Sequence, residues 1–454
     1  MSPATTLLRQ ARSEASGAFL DNKNIGGGRM FEIRGATLPD GSKDTLLIGG
    51  EKIIVKNKGC RYADAWITGE GLLALPGLID PHVHFRIPGG EHKEDWEYGV
   101  RAAIAGGVTT VFDMPNTNPP LTTQKRLDKK AEFTGERDID YRFWFGATNR
   151  NIHEIKKVAG DPRIIGVKVY MGSSTGGLLV TDEQVLTKIF SVCNAHNLVV
   201  GVHAEDETVM RLHRYSMRRE PEIQDHCFIR HTLAEVTAVE KVLKIQDKTK
   251  CRLYFCHLST PEAVELVSRA KERGATVYAE VCPHHLWLSD ERLHGAGPSK
   301  NFYKMNPPLR SYEQTEKLRQ YVCEGLVDTI GSDHAPHTRE EKMRENYDDI
   351  PSGVPGVETI LPLMFQFVRD GNMSIARFID ITSGNAAKIF GLEHKGKIEA
   401  GYDADIVLLD PSKDVLFRHQ DMATKCGWTP YIGMSATGCV KSVIARGIIV
   451  KSSK

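Results

Sequence analysis

Between residues 77 and 391 one pattern returns eight times: a short apolar run, then an amphipathic stretch. The runs are LIDPHVH (78–84), VTTVFDM (108–114), YRFWFGA (141–147), IIGVKVY (164–170), LVVGVHA (198–204), RLYFCHL (252–258), ATVYAEV (275–281) and DTIGSDH (328–334). Runs of this length, rich in Val, Ile and aromatics, read as buried strands. The stretches between them, such as TDEQVLTKIFSVCNAHN and STPEAVELVSRAKERG, read as helices. The second opens on Ser-Thr-Pro and stops at Gly, as helix ends require. Strand and helix alternating in this way need a parallel sheet, and eight units over roughly 250 residues predict an α/β fold, a TIM-type (β/α)₈ barrel.

The flanks read differently. MFEIRGATL, DTLLIGG and EKIIVKN after Met30, and ADIVLLDP and VKSVIARGIIVKS near the far end, alternate like half-buried strands. Neither flank is long enough for a core of its own, so residues 30–76 and 392–454 are expected to pair into one small β-sandwich domain around the barrel of 77–391. Residues 1–29 are rich in Ser, Ala and Gly and read as a flexible extension. Glu14 and Asp21 weigh against a transit peptide there, and no apolar core of a secretory signal is present. No 18-residue apolar run exists, and the net charge of +1 makes no electrostatic case for nucleic acid or a membrane surface. Nine scattered cysteines without C-x-x-C argue for a reducing, cytoplasmic setting.

In such a barrel, chemistry sits at the C-terminal ends of the strands. The first strand ends in His82 and His84, the fourth carries Lys168, the fifth His203, the sixth His257 and the eighth Asp333. Alternate strand residues face one side, so His82 and His84 can reach one point near the axis. A lone His at a strand end is usually a hydrogen-bonded loop residue. Four with an Asp from separate strands make a metal-ligand set, and imidazole with carboxylate suits zinc. A protonated lysine cannot bind a metal. Lys168 either pairs with a nearby carboxylate or, as a neutral amine, takes up CO₂ as a carbamate that bridges two metals; chemistry alone leaves both open. His196, His213, His226, His231 and His294 fall in helices or loops and read as surface. His284 and His285 read as structural hydrogen-bonders rather than spare ligands.

The motifs DPHVHFR, DMPNTNPP, GVKVYMGSSTG, VHAED, CHLS, KMNPPLR, GSDHAPH and GVPGVET occur in this order over most of the chain. In them the chain from about Met30 onward resembles the dihydroorotases of the amidohydrolase superfamily. The resemblance implies a (β/α)₈ barrel with a β-sandwich from both chain ends. It implies one zinc on His82, His84 and Asp333 and a second on His203 and His257. A carboxylated Lys168 and a hydroxide bridge them, at a metal separation of about 3.5–4 Å. The implied reaction interconverts N-carbamoyl-L-aspartate with L-dihydroorotate and water, a step of pyrimidine synthesis, with Asp333 as ligand and proton shuttle. The guanidinium of Arg86 can clamp the substrate carboxylate with two charge-assisted hydrogen bonds. The resemblance adds Asn116, His337 and Asn306 as substrate contacts. It also implies a homodimer, with association to aspartate transcarbamoylase as in some relatives.

Dihydropyrimidinases and hydantoinases share the metal set, but their substrates need no carboxylate clamp. Allantoinases are nearer, and IPGGEHKEDWEYG fits both families. A non-catalytic scaffold relative would be expected to have lost ligands, and none is missing. GSSTGG (172–177) lacks the lysine and spacing of a P-loop and reads as active-site rim. NMS (372–374) is a glycosylation triplet without secretory context. TREEKMRENYDDIP and HGAGPSKNFYK are expected to cover the barrel mouth.

Overall fold

The computed structural model describes residues 30–57, 63, 65–173, 177–294 and 297–452. The expected N-terminal extension lies outside them. The chain opens with β1 (Met30–Thr37), β2 (Lys43–Gly49), β3 (Lys52–Asn57), β4 (Ala65–Thr68) and β5 (Leu73–Pro76). The barrel strands follow: β6 (Leu78–Val83), β7 (Val108–Asp113), β8 (Asp140–Gly146), β9 (Ile164–Tyr170), β10 (Val199–His203), β11 (Arg252–Phe255), β12 (Val277–Val281) and β13 (Thr329–Ile330). The chain returns through β14 (Ile406–Leu416), β15 (Ser435–Ala445) and β16 (Ile448–Ser452).

β6 to β13 lie side by side in chain order, all parallel. The first and last meet through a Val83–His334 bridge, with His84 N donating to His334 O at 2.8 Å, so the barrel nearly closes. The helices start where the sequence says they should. Thr260 caps Pro261–Glu272 by accepting from Ala263 N, with Pro in the first turn, and Gly274 follows at φ +84°.

Two strands stop three or four residues before their apolar runs do. β11 stops at Phe255 and β13 at Ile330, ahead of His257 and Asp333. Those two residues have φ +37° and +44°, and left-handed backbone cannot continue a ladder. His257 and Asp333 therefore follow their strands, whereas His82, Lys168 and His203 belong to theirs.

The two chain ends do pair. β14 runs antiparallel to β5, with Ile406 opposite Pro76 and Leu408 opposite Ala74. Together the flanks build one mixed sheet of eight strands, whose inner face buries Phe31, Ile33, Leu46 and Ile48 against Ile406, Leu408 and Ile444.

Inside the barrel, Trp144 of β8 is fully buried and donates from Nε1 to Pro81 O at 2.9 Å. Glycines on the next two strands make room for the indole. A Cβ on Gly166 would lie 2.6 Å from Trp144 Cζ3, and one on Gly201 would lie 2.8 Å from it. Gly201→Ala is expected to destabilise the fold by about 1–3 kcal/mol through overpacking. Adding Trp144→Phe should recover part of that loss, because the two changes touch each other. Thermal unfolding of both singles and the double checks this, and strict additivity would exclude the proposed fit.

Candidate active site

The C-terminal ends of the barrel strands enclose a pocket lined by His82, His84, Arg86, Asn116, Tyr170, His203, His257, Asn306 and Asp333. Ala335, Ser352 and Gly353 complete its wall. Two clusters of donor atoms meet there. In the first, Asp333 Oδ1 lies 3.3 Å from His82 Nε2 and 3.0 Å from His84 Nε2. In the second, His203 Nδ1 faces His257 Nε2 at 3.0 Å.

The far side of each ring decides what the near side offers. His82 Nδ1 lies 2.8 Å from Glu280 Oε1, His84 Nδ1 2.7 Å from Asn116 Oδ1, and His203 Nε2 2.7 Å from Glu205 Oε2. Each of these oxygens accepts, so the far nitrogen carries the proton and the near nitrogen turns a lone pair into the pocket. Burial lowers the pKa of all four histidines, His84 and His257 well below the ordinary value, and neutral rings are what a metal needs. Burial also raises the Asp333 carboxyl, against the pull of His82 and Lys168. Glu205 is held well below the usual carboxylate range: burial opposes this, and Arg230, with Nη2 2.6 Å away, and His203 outweigh it.

Lys168 is fully buried, and its Nζ has no hydrogen-bond partner among the described residues. The carboxylate pairing that would explain it simply is therefore absent among them. The amine lies 5.2 Å from the centre of the Tyr170 ring, beside imidazoles and a carboxylate of the kind that can hold metal. His82, His84 and Asp333 form a group that could hold a metal ion. Arg86, His257 and Asp333 have left-handed backbone (φ +67°, +37° and +44°), which places strain at this site.

Arg86 is 7 % exposed. Its Nε donates to Pro336 O at 3.1 Å and its Nη2 lies 3.2 Å from His337 Nε2, and no carboxylate pairs with it among the described residues. Asn116 and Asn306 both reach the pocket, but differently. Asn116 Oδ1 is committed to His84, whereas Asn306 Oδ1 is buried without a partner. His337 does not line the pocket. It stands behind Arg86, with Nδ1 3.1 Å from Lys93 Nζ and its carbonyl accepting from Trp428 Nε1 at 2.8 Å.

Three residues at the site escaped the sequence reading. Glu280 lies inside the apolar run ATVYAEV, where a lone acid signals a buried partner. Glu205 stands two residues after His203 in VHAED. Tyr170 stands two after Lys168, on the same strand face. His226 also differs from the surface reading: it is 1 % exposed and bonded to Tyr347 Oη and Met305 O, because the helical turn that carries it packs inward. His284 and His285 are buried and outside the pocket lining. His285 Nε2 donates to Pro307 O at 3.1 Å, and with Cys282 the pair forms a second compact donor group. The two expected covers are tied together: Lys342 Nζ donates to Lys304 O and Gly353 O, and Lys304 Nζ to Ile350 O.

Known proteins show the same arrangement of sequence. A dihydroorotase of Halobacterium salinarum is 38% identical over 416 residues, 89% of this chain and 92% of that protein. An allantoinase of Rubrobacter xylanophilus is 32% identical over 424 residues, 91% of this chain and 92% of that protein. Among solved structures, an L-hydantoinase (dihydropyrimidinase) from Arthrobacter aurescens superimposes with TM-score 0.88 at 28% identity, covering 94% of this chain and 96% of that one. Barrel, donor clusters and relatives agree with a family model that matches residues 73–450, and the chain belongs to the amidohydrolase family.

Proposed function

We propose that this enzyme is a zinc-dependent dihydroorotase, closing N-carbamoyl-L-aspartate to L-dihydroorotate and water and running the reverse. The observation that carries the reading is Arg86: a buried guanidinium beside the donor clusters, with no carboxylate of its own. A buried cation without a counter-ion is costly unless a ligand supplies the charge. Dihydroorotate has a carboxylate that the reaction does not consume, while dihydrouracil and hydantoin have none. The dihydroorotase name of a 38%-identical relative supports the same substrate.

In this reading His82, His84 and Asp333 would hold one zinc ion, and His203 and His257 the other. Lys168, were its neutral amine to add to CO₂ with loss of a proton, would supply a carbamate as a further anionic ligand. A metal held by these residues would lower the pKa of a bound water and polarise the ring carbonyl, the chemistry that amide hydrolysis near neutral pH needs. The chain does the rest. Arg86 clamps the carboxylate and sets the ring in place. Asn306 Oδ1, buried and unpartnered, is positioned to accept from a ring N–H. Asp333 Oδ2 carries the proton between water and the ring nitrogen: it receives it in hydrolysis and delivers it to the leaving amine, and ring closure reverses the order. Glu280 and Glu205 hold His82 and His203 in the ligating tautomer.

Asp333→Asn should retain substantial metal yet lose roughly a hundred- to ten-thousand-fold in kcat, the range of a lost acid–base group. Near-normal turnover would remove the shuttle. Glu280→Gln should weaken metal binding by about 10–100-fold. Metal analysis after dialysis against a graded chelator series checks that. Across dihydroorotate, allantoin, dihydrouracil and hydantoin, the metal-loaded enzyme should turn over dihydroorotate, and Arg86→Ala should abolish that preference. Turnover of allantoin or dihydrouracil alone would replace the dihydroorotase reading with that of the allantoinase or hydantoinase relatives.

A further inference from the structure

Tyr170 is the last residue of β9, two positions beyond Lys168 and on the same face. Its backbone is pinned on both sides. It pairs with His203 of β10, and Val180 N donates to its carbonyl at 2.8 Å. The ring is therefore delivered by the barrel itself. Tyr170 is 4 % exposed and lines the same pocket as Arg86, yet its hydroxyl has no hydrogen-bond partner among the described residues.

A buried phenol without a partner costs free energy in the empty site. Its neighbourhood says what partner would remove that cost. Arg86 and Tyr170 are electrostatic neighbours, each among the groups that act on the other, but no hydrogen bond joins them. A guanidinium has only donors, and the phenol has a donor left over. Asp333, the nearby acceptor, bonds His84 instead. Two buried donors that line one pocket, with no hydrogen bond between them, form a seat for an anionic oxygen. Phenylalanine would fill the same wall and could not complete that seat.

We propose that Tyr170 is a specificity-determining residue whose hydroxyl donates to the substrate carboxylate that Arg86 clamps. The assignment rests on the dihydroorotate reading above. It predicts that the Tyr170 hydroxyl discriminates carboxylated from uncharged cyclic amides while adding nothing to the stability of the empty enzyme.

The experiment uses the metal-loaded full chain and Tyr170→Phe, with dihydroorotate and dihydrouracil as probes. Affinity is read from ligand-induced shifts of the thermal midpoint and from KM and kcat separately. Tyr170→Phe should weaken dihydroorotate by roughly tenfold or more, the scale of a hydrogen bond to a charged group, mostly in KM. It should leave dihydrouracil within a factor of about two, the small change expected when a mutated group makes no contact. The ligand-free thermal midpoint should stay level or rise, because an unsatisfied hydroxyl has been removed. Equal losses on both ligands, no loss on either, or a lowered ligand-free midpoint would each overturn the assignment. A wild-type enzyme that does not bind dihydroorotate would overturn the substrate reading instead, before the variant is measured.

Discussion

One carboxylate holds the barrel mouth in register. Glu280 Oε1 accepts from His82 Nδ1 at 2.8 Å and from His257 N at 2.8 Å, and its Oε2 accepts from Tyr254 Oη at 2.7 Å. That single side chain ties β12 to β6 and β11. It orients a ring of the first donor cluster and the backbone of a residue in the second. It is fully buried, and its pKa is lowered because His82 outweighs the burial that would raise it. Losing it would leave His82 free to rotate and the His257 turn without its anchor. The two donor clusters are therefore mechanically one unit.

Around that anchor the protein leaves polar atoms unsatisfied where it could have satisfied them. Lys168 Nζ, Tyr170 Oη, Asn306 Oδ1 and His257 Nδ1 are buried and unpartnered among the described residues. His257 belongs to the second donor cluster, and Tyr170 and Asn306 line the same pocket. Interiors ordinarily pair such groups, so Tyr170 Oη and Asn306 Oδ1, unpaired in one pocket, mark a surface suited to polar groups that the chain does not supply. The backbone strain at Arg86, His257 and Asp333 lies in the same place. A fold can bear these costs locally because the wall behind them is tight: Trp144 against Gly166 and Gly201 leaves the barrel interior no freedom to collapse toward the mouth.

The barrel was legible because buried parallel strands read as continuous apolar runs, with helix caps between them. The residues that line the pocket were legible as candidates because most of them stand at or near the ends of those runs. Less legible was where strands stop, since His257 and Asp333 continue an apolar run in sequence while their backbone has already turned. His337 was placed against substrate by its motif, yet it stands behind Arg86, a distinction that only packing makes. His226 looked like a surface residue because its sequence neighbours are polar, and the partners that bury it, Tyr347 and Met305, lie far along the chain.

What the sequence determined by itself is the eightfold alternation, the pairing of the two chain ends around it, and the residue types at the strand termini. Each follows from local periodicity and from short motifs, which depend on neighbours along the chain. What only the tertiary structure decided is which nitrogen of each histidine faces inward, that Arg86 and Lys168 lack carboxylate partners among the described residues, and that Tyr170 and Asn306 keep unpaired polar atoms beside them. Those facts depend on contacts between residues such as His82 and Glu280, almost two hundred positions apart. Hydrogen-bond satisfaction is a property of the closed barrel, and no stretch of sequence contains it.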